Sequence, residues 1–383
     1  MIIKRKDYIF NDEFYKTTCF LGRDYLCQLI LEVFIALDIF SSLKEGFFSF
    51  VDLARINKLP ENRYYHLNWM VEFLFHNNYL DFQFVSGLRK YQLKRNIQAS
   101  GSLYYRNLIV RTSSQMIPSC DLMEHVAKNY PDFLQGKLNG FEILFIKDKM
   151  KLWKQYFSNE HLGYSVYNSF GAEAFIVWMP KGNFRVLEVG GGTGNACLSI
   201  LQLLKKNLSF DLLDKYIFSD ISPLFMRMGK DLIENNLGSL ENFATKKIDF
   251  NVPFDVQGIE NDSCDVVYGV NSLHVAENIT KVLGNIIRAL KPGGKIIISE
   301  SVRQTRQHLL IQEFIFNLLD EYTGIRNTQN DSFAKGFLAY TDWLDIFKVV
   351  GLRNIRYALN VENSLAKPTY PILAAVFKGE KNG

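Results

Sequence analysis

The chain has 383 residues, enough for more than one domain at roughly 100 to 200 residues each. Hydrophobic residues make up 48% of it and aromatics 14%, a globular composition with an aromatic interior that excludes the disordered class. Against 40 Asp and Glu stand 44 Lys and Arg, a net charge of +4 too mild to make nucleic acid or an anionic membrane the expected main partner.

Five cysteines, Cys19, Cys27, Cys120, Cys197 and Cys264, lie far apart with no CxxC pair. That argues against a zinc knuckle or a disulfide framework, and reduced thiols point to the cytoplasm. No metal is expected. The opening MIIKRKDYIFNDEFYK is too charged for a signal peptide. The most apolar window, Leu21 to Phe40, carries Arg23, Asp24, Glu32 and Asp38, so it reads as a buried amphipathic helix and no membrane span.

After that helix a short segment opens with SFVDLARI, and a second helix starts near Glu61. Two strand-like runs follow, YLDFQFV and LRKYQL, separated by Ser86-Gly87. Helices followed by a small hairpin predict a winged-helix module, placed at 1–110. Residues 111–182 read as a helical connector or lid, including NSFGAEAFIVWMP. From 183 to 383 strands alternate with helices: RVLEV, NACLSILQLL, YIFSD, SPLFMRMGKDLI, ATKKIDF, CDVVYGV, NITKVLGNIIRAL, KIIISE. This alternation predicts an α/β fold, a Rossmann-like doubly wound sheet.

Ligands of such sheets bind beyond the carboxyl ends of the strands, at the topological switch point. There the sequence places Gly190, Gly191, Gly192 and Gly194, then Asp220, Asp249, Asn271 to His274, and Glu300. A dinucleotide fingerprint needs a third small residue after its paired glycines. The frame from Gly190 puts Asn195 there and the frame from Gly192 puts Cys197, so both fail; no GxxxxGK[ST] occurs either. What remains is GxGxG preceded by Glu188. A carboxylate there repels phosphate and suits a ligand carrying an ammonium and a sulfonium.

The segment RVLEVGGGTGN resembles motif I of the class I S-adenosylmethionine-dependent methyltransferases. The stretches YIFSDIS, KIDFNVPFDVQGI, YGVNSLHVAENITKVLGNIIRALKPGGKIIISE and YTDWLDIFKVVGL are similar, in order, to methyltransferase domains of polyketide synthases. The resemblance covers about residues 185 to 357. It implies that Glu188 and the glycines hold the methionine part of the cofactor, Asp220 with Ile221 the ribose, and Asp249 with Phe250 the adenine. Asn271 would line the reactive side, and S-adenosylhomocysteine is the implied product. His274 and Glu300 fall on the positions of the catalytic dyad of the polyketide C-methyltransferases, with His274 the general base. The sequence departs where the family commonly has a tryptophan pair and this chain has Glu321-Tyr322.

Tyr164 and Tyr167 are expected either to reach over the cofactor as part of a lid or to pack, and Trp343 to be core. The expected function is methylation in secondary metabolism, with the carbon of a β-keto acyl group favoured as acceptor, free or bound to an acyl carrier protein. An O-methyltransferase acting on a phenol or hydroxyl is the alternative. A DNA-binding regulator is the competing class: residues 1–110 carry 14 Lys and Arg against 11 Asp and Glu. The Glu61 to Asn77 helix supplies only Arg63 and two histidines as cations, so a dimerisation role is favoured, with apolar surface on the Tyr25 to Phe40 helix as the interface of a homodimer. A catalytically silent cofactor-binding protein is the third class.

Overall fold

The computed structural model describes residues 12–98, 101–145, 149–319, 322, 336–360 and 373–383. These form two compact units. One holds residues 157–308, 336–360 and 373–383; the other holds the described residues up to 156 together with 309–319 and 322. The expected boundaries at 110 and 182 fall inside the two units, because α6 of the second packs on its first helix while the helix before the sheet packs on the sheet.

The helical unit runs α1 (Asp12–Ala36), α2 (Ile39–Glu45), α3 (Phe50–Ile56), α4 (Tyr64–His76), β1 (Leu80–Val85), β2 (Leu88–Leu93), α5 (Ser102–Thr112), α6 (Ile117–Leu134), α7 (Gly140–Phe145) and α8 (Met150–Tyr156). The continuous helix expected to Phe40 breaks at Asp38, which adopts φ +58°. Ser49 opens α3 with a capping box: its Oγ accepts from Asp52 N at 3.1 Å and the Asp52 carboxylate accepts from Ser49 N at 3.0 Å. Strands β1 and β2 pair antiparallel around Ser86-Gly87, whose φ values of +51° and +78° are those a two-residue hairpin turn requires.

The apolar residues of α1 expected to join two copies are core instead. Tyr25, Leu26, Ile30, Leu31 and Phe34 are fully buried within the unit, because α5 and α6 cover that helix. Of the cations on the α4 segment, Arg63 is buried over the Phe133 ring and His66 is buried too, which leaves His76 beside Glu72. Among the described residues no single helix is long and apolar enough to cross a membrane.

The other unit begins with α9 (Leu162–Trp178) and continues β3 (Phe184–Glu188), α10 (Asn195–Lys206), β4 (Leu213–Asp220), α11 (Pro223–Leu237), β5 (Phe243–Lys247), β6 (Cys264–Val270), α12 (Ile279–Ala289) and β7 (Leu290–Val302). The helical unit's α13 (Glu313–Phe316) comes next in the chain, and the sheet unit ends with α14 (Tyr340–Val349), β8 (Arg353–Leu359) and β9 (Leu373–Glu380). The sheet has the order β5-β4-β3-β6-β7-β9-β8. Its first five strands are parallel and β9 runs antiparallel between β7 and β8. Strand order therefore reverses between β3 and β6, so the ends of these two neighbours frame the switch point. Strands β3, β6 and β7 are buried on both faces, as a sheet covered by helices requires. Trp343 of α14 is fully buried against Phe377 of β9, in the core.

Candidate active site

The turn after β3 is built for close approach. Gly190 has φ +63°, and a Cβ there would lie 2.5 Å from Ser272 Cβ. Gly194, with φ +82°, starts α10 against Gly229 of α11, whose Cα would be 2.7 Å from a Cβ. Only glycine meets both demands. Gly192, also at positive φ, has open space where its Cβ would be. Gly191 N donates to Ser219 O at 2.8 Å, and Gly192 N donates to Asp220 Oδ2 at 2.9 Å.

Asp220 ends β4 and its second oxygen accepts from Ser222 N at 2.8 Å. Burial raises its pKa, opposed by the amides of Ser222, Gly192 and Ile221. Ile221 itself is exposed at the rim.

Glu188 ends β3 almost fully buried. Its Oε2 accepts from the Tyr216 hydroxyl at 2.9 Å, while Oε1 meets no hydrogen-bond partner, the weak thiol of Cys197 being its neighbour. Burial pushes the carboxyl up to about 8; Tyr216 pulls it down and nearby Asp220 pushes it further up. Burial likewise raises the Cys197 thiol and the Tyr216 and Tyr268 hydroxyls.

The strand expected through Phe250 ends at Lys247. Asp249 turns the chain there, accepting from Asn251 N at 2.9 Å and from Asn251 Nδ2 at 3.1 Å. Gln257 ties this loop down: its Oε1 accepts from Asp249 N at 2.9 Å, and its Nε2 donates to Asp249 O at 2.8 Å and Val252 O at 3.0 Å. Phe250 is half-buried, its carbonyl accepting from Asn285 Nδ2 at 3.0 Å.

Asn271, just beyond β6, sits at φ +44°, a conformation asparagine tolerates better than most residues. Its N donates to Ser299 O at 2.8 Å and its Oδ1 accepts from Ser301 N at 2.6 Å, which binds the exit of β6 to that of β7.

On that framework His274 Nδ1 lies 3.0 Å from Glu300 Oε2, with Glu300 fully buried and His274 5% exposed. Glu300 Oε1 accepts from Ser272 N at 3.0 Å and Leu273 N at 2.9 Å. Ser272 Oγ in turn donates to Val189 O at 3.1 Å, joining the dyad to the glycine turn. Tyr167 is 2% exposed, with its hydroxyl 3.2 Å from Ser301 Oγ and its carbonyl accepting from Ser299 Oγ at 2.9 Å. Tyr164 packs edge-on between Phe157 and Tyr167.

Glu188, the glycines, Asp220, Asn271, His274 and Glu300 thus gather at the ends of β3, β4, β6 and β7, and Asp249 and Phe250 follow β5. Glu321 lies outside the described residues. Tyr322 belongs to the helical unit, where its hydroxyl donates to Glu313 at 2.9 Å. Tyr216, Ser272, Gln257 and Phe337 were not singled out by the sequence. Tyr216 lies on the face that Glu188 shares with Val186, as the register Val186↔Tyr216 requires, and that pairing is seen only in the structure. Among the described residues no group of three His, Cys, Asp or Glu side chains is placed to hold a metal ion.

Residues 187–296 match the Methyltransf_12 family, a methyltransferase domain. The highly reducing polyketide synthase PKS2 of Leptosphaeria maculans is 26% identical over 275 residues, which are 71% of this chain and 10% of that protein. The crystal structure of the CurJ carbon methyltransferase matches with a TM-score of 0.74 at 18% identity, over 98% of this chain and 94% of that one. The trans-methyltransferase CalH, crystallised with SAH, matches with a TM-score of 0.65 at 19% identity, over 96% and 90%. At these identities the two structures establish a shared fold. The chain spans 7 to 10% of the length of the curated polyketide synthases it matches first.

Proposed function

We propose, from the premise that this chain carries a class I S-adenosylmethionine-dependent methyltransferase domain related to the C-methyltransferase domains of polyketide synthases, that it methylates the carbon between the two carbonyls of a β-keto acyl group, presented on a carrier protein or as a small thioester. The observation that carries this reading is the His274 and Glu300 pair, buried and 3.0 Å apart beside the glycine turn. A carbon acid needs such a base.

The residues present suit the cofactor. Glu188 Oε1 is a buried carboxylate oxygen without a hydrogen-bond partner, chemically suited to an ammonium, and a Cβ at Gly192 would meet nothing within 4 Å. Glu188, Gly190, Gly191, Gly192 and Gly194 would hold the methionine part, Asp220 with Ile221 the ribose, Asp249 with Phe250 the adenine, and Asn271 the reactive side. Bound there, the cofactor supplies an electrophilic methyl group on its sulfonium.

The protein's task is to orient the acceptor and move one proton. With two amides on Glu300 Oε1, Oε2 accepts from Nδ1–H of His274, which leaves Nε2 as the basic nitrogen. Nε2 takes the proton from the acceptor carbon and the Glu300 carboxylate stabilises the imidazolium. A base so positioned contributes about 10²- to 10⁴-fold.

The test is incubation with methyl-labelled S-adenosylmethionine and a β-keto acyl N-acetylcysteamine thioester. Label on the carbon between the carbonyls is expected. Label only on the oxygen of phenols would favour the O-methyltransferase reading, and no transfer by a cofactor-binding protein would overturn both.

A further inference from the structure

We infer that Phe337, held in place by Arg303, is a positioning residue for the imidazole of His274. The Phe337 and His274 rings are stacked, with centroids 4.1 Å apart and planes 22° from parallel. Both residues lie in the sheet unit.

The chain around Phe337 is pinned by the residue that follows β7. Arg303 N donates to Leu338 O at 2.9 Å, and Arg303 and Ala339 form a parallel bridge. The Arg303 side chain, 3% exposed, donates through Nε to Phe337 O at 2.6 Å and through Nη1 to His308 O at 2.5 Å. On the other side Asp342, at the start of α14, accepts from Ala339 N at 3.3 Å and pairs with Arg306 at 2.7 Å. A guanidinium donates several hydrogen bonds in a fixed plane, so it can grip two carbonyls at once, which a lysine cannot do with the same geometry.

The ring completes what Glu300 begins. Glu300 holds His274 by one edge, at Nδ1, and the Phe337 ring packs flat on one face of the imidazole. Contact on a face resists rocking of the ring in a way that a bond at its edge does not. It also closes that face to water and acceptor, so the acceptor proton must reach Nε2 from the edge or the opposite face. Orientation of a reacting group governs rate steeply, and a displacement near 1 Å can cost roughly 10²-fold.

This inference rests on His274 being the base, so the experiment separates the two. Phe337→Leu and Phe337→Met, which keep apolar bulk without a flat face, and Phe337→Tyr, which keeps the face, are compared with His274→Ala. For each, kcat, acceptor KM, thermal midpoint and calorimetric affinity for S-adenosylhomocysteine are measured on the full chain. The expected result is a kcat loss of roughly 10- to 100-fold in the Leu and Met variants, with KM and cofactor affinity within about twofold. Phe337→Tyr recovers kcat to within about threefold, and Phe337→Leu adds no further loss to His274→Ala, since a positioning effect disappears with the base it positions.

A buried ring that merely fills the core would instead lower the melting temperature and leave kcat alone. That outcome, with His274→Ala inactive, overturns the role of Phe337 while sparing the base. Activity of His274→Ala within a few-fold of wild type overturns the base and the inference together.

Discussion

Gly192 donates its backbone N–H to Asp220 Oδ2 at 2.9 Å, so the acid ending β4 closes the turn that follows β3. Asp220 thus holds the shape of the loop, and it is also the residue proposed to accept from the ribose diol. Its other oxygen serves Ser222 N, which leaves two amides without an acceptor if the carboxylate is lost. Asp220→Ala is expected to cost about 1 to 3 kcal/mol in denaturant unfolding and to weaken S-adenosylhomocysteine binding at least tenfold. Asp220→Asn, which turns one oxygen into a donor, should fall between. Full affinity in the alanine variant would sever the site from this loop.

Glu188 gives the protein a pH signature. Its folded-state pKa is pushed by burial from the ordinary 4.5 up to about 8, so the folded protein holds a proton that the unfolded chain releases across that window. The stabilisation is therefore full below about 4.5 and lost as pH rises through 8, on the order of 5 kcal/mol across the interval. Glu188→Gln should flatten this slope in unfolding curves measured from pH 5 to 9. A cationic ligand group favours the carboxylate, so cofactor binding at pH 7 should release a proton. Calorimetric heats in two buffers of different ionisation enthalpy would differ accordingly, and Glu188→Gln would abolish the difference.

Gly190 and Gly192 separate backbone strain from collision. Both have positive φ, but only at Gly190 would a Cβ strike Ser272. Gly192→Ala should lose about 1 to 2 kcal/mol from the left-handed conformation alone, while weakening the cofactor because its open side is filled. Gly190→Ala should lose more stability than that, read by thermal and denaturant midpoints. Equal costs at the two positions would contradict the contact with Ser272.

The sequence carried the α/β alternation and the strand ends, since buried parallel strands between helices leave a strong pattern. The places of Glu188, Asp220 and Glu300 at the ends of strands were legible from that alternation, whereas His274 stands in the turn beyond β6 and follows from the resemblance. What periodicity cannot say is who covers an apolar face. The apolar Tyr25 to Phe40 stripe suits a second copy as well as a covering helix, and α5 and α6 of the same chain bury Tyr25, Leu26, Ile30, Leu31 and Phe34. Phe337 was beyond reach for a related reason. It meets His274 through the tertiary bridge between Arg303 and Ala339, and no spacing rule connects those positions. The boundaries at 110 and 182 followed changes of composition, whereas compactness follows packing.

The most direct measurement is calorimetric titration of ligand-free protein with S-adenosylhomocysteine, with NAD and the Asp220→Ala variant as controls. Micromolar binding is expected, absent for NAD and lost in the variant. A folded protein that binds no S-adenosylhomocysteine, or that binds NAD in its place, would contradict it.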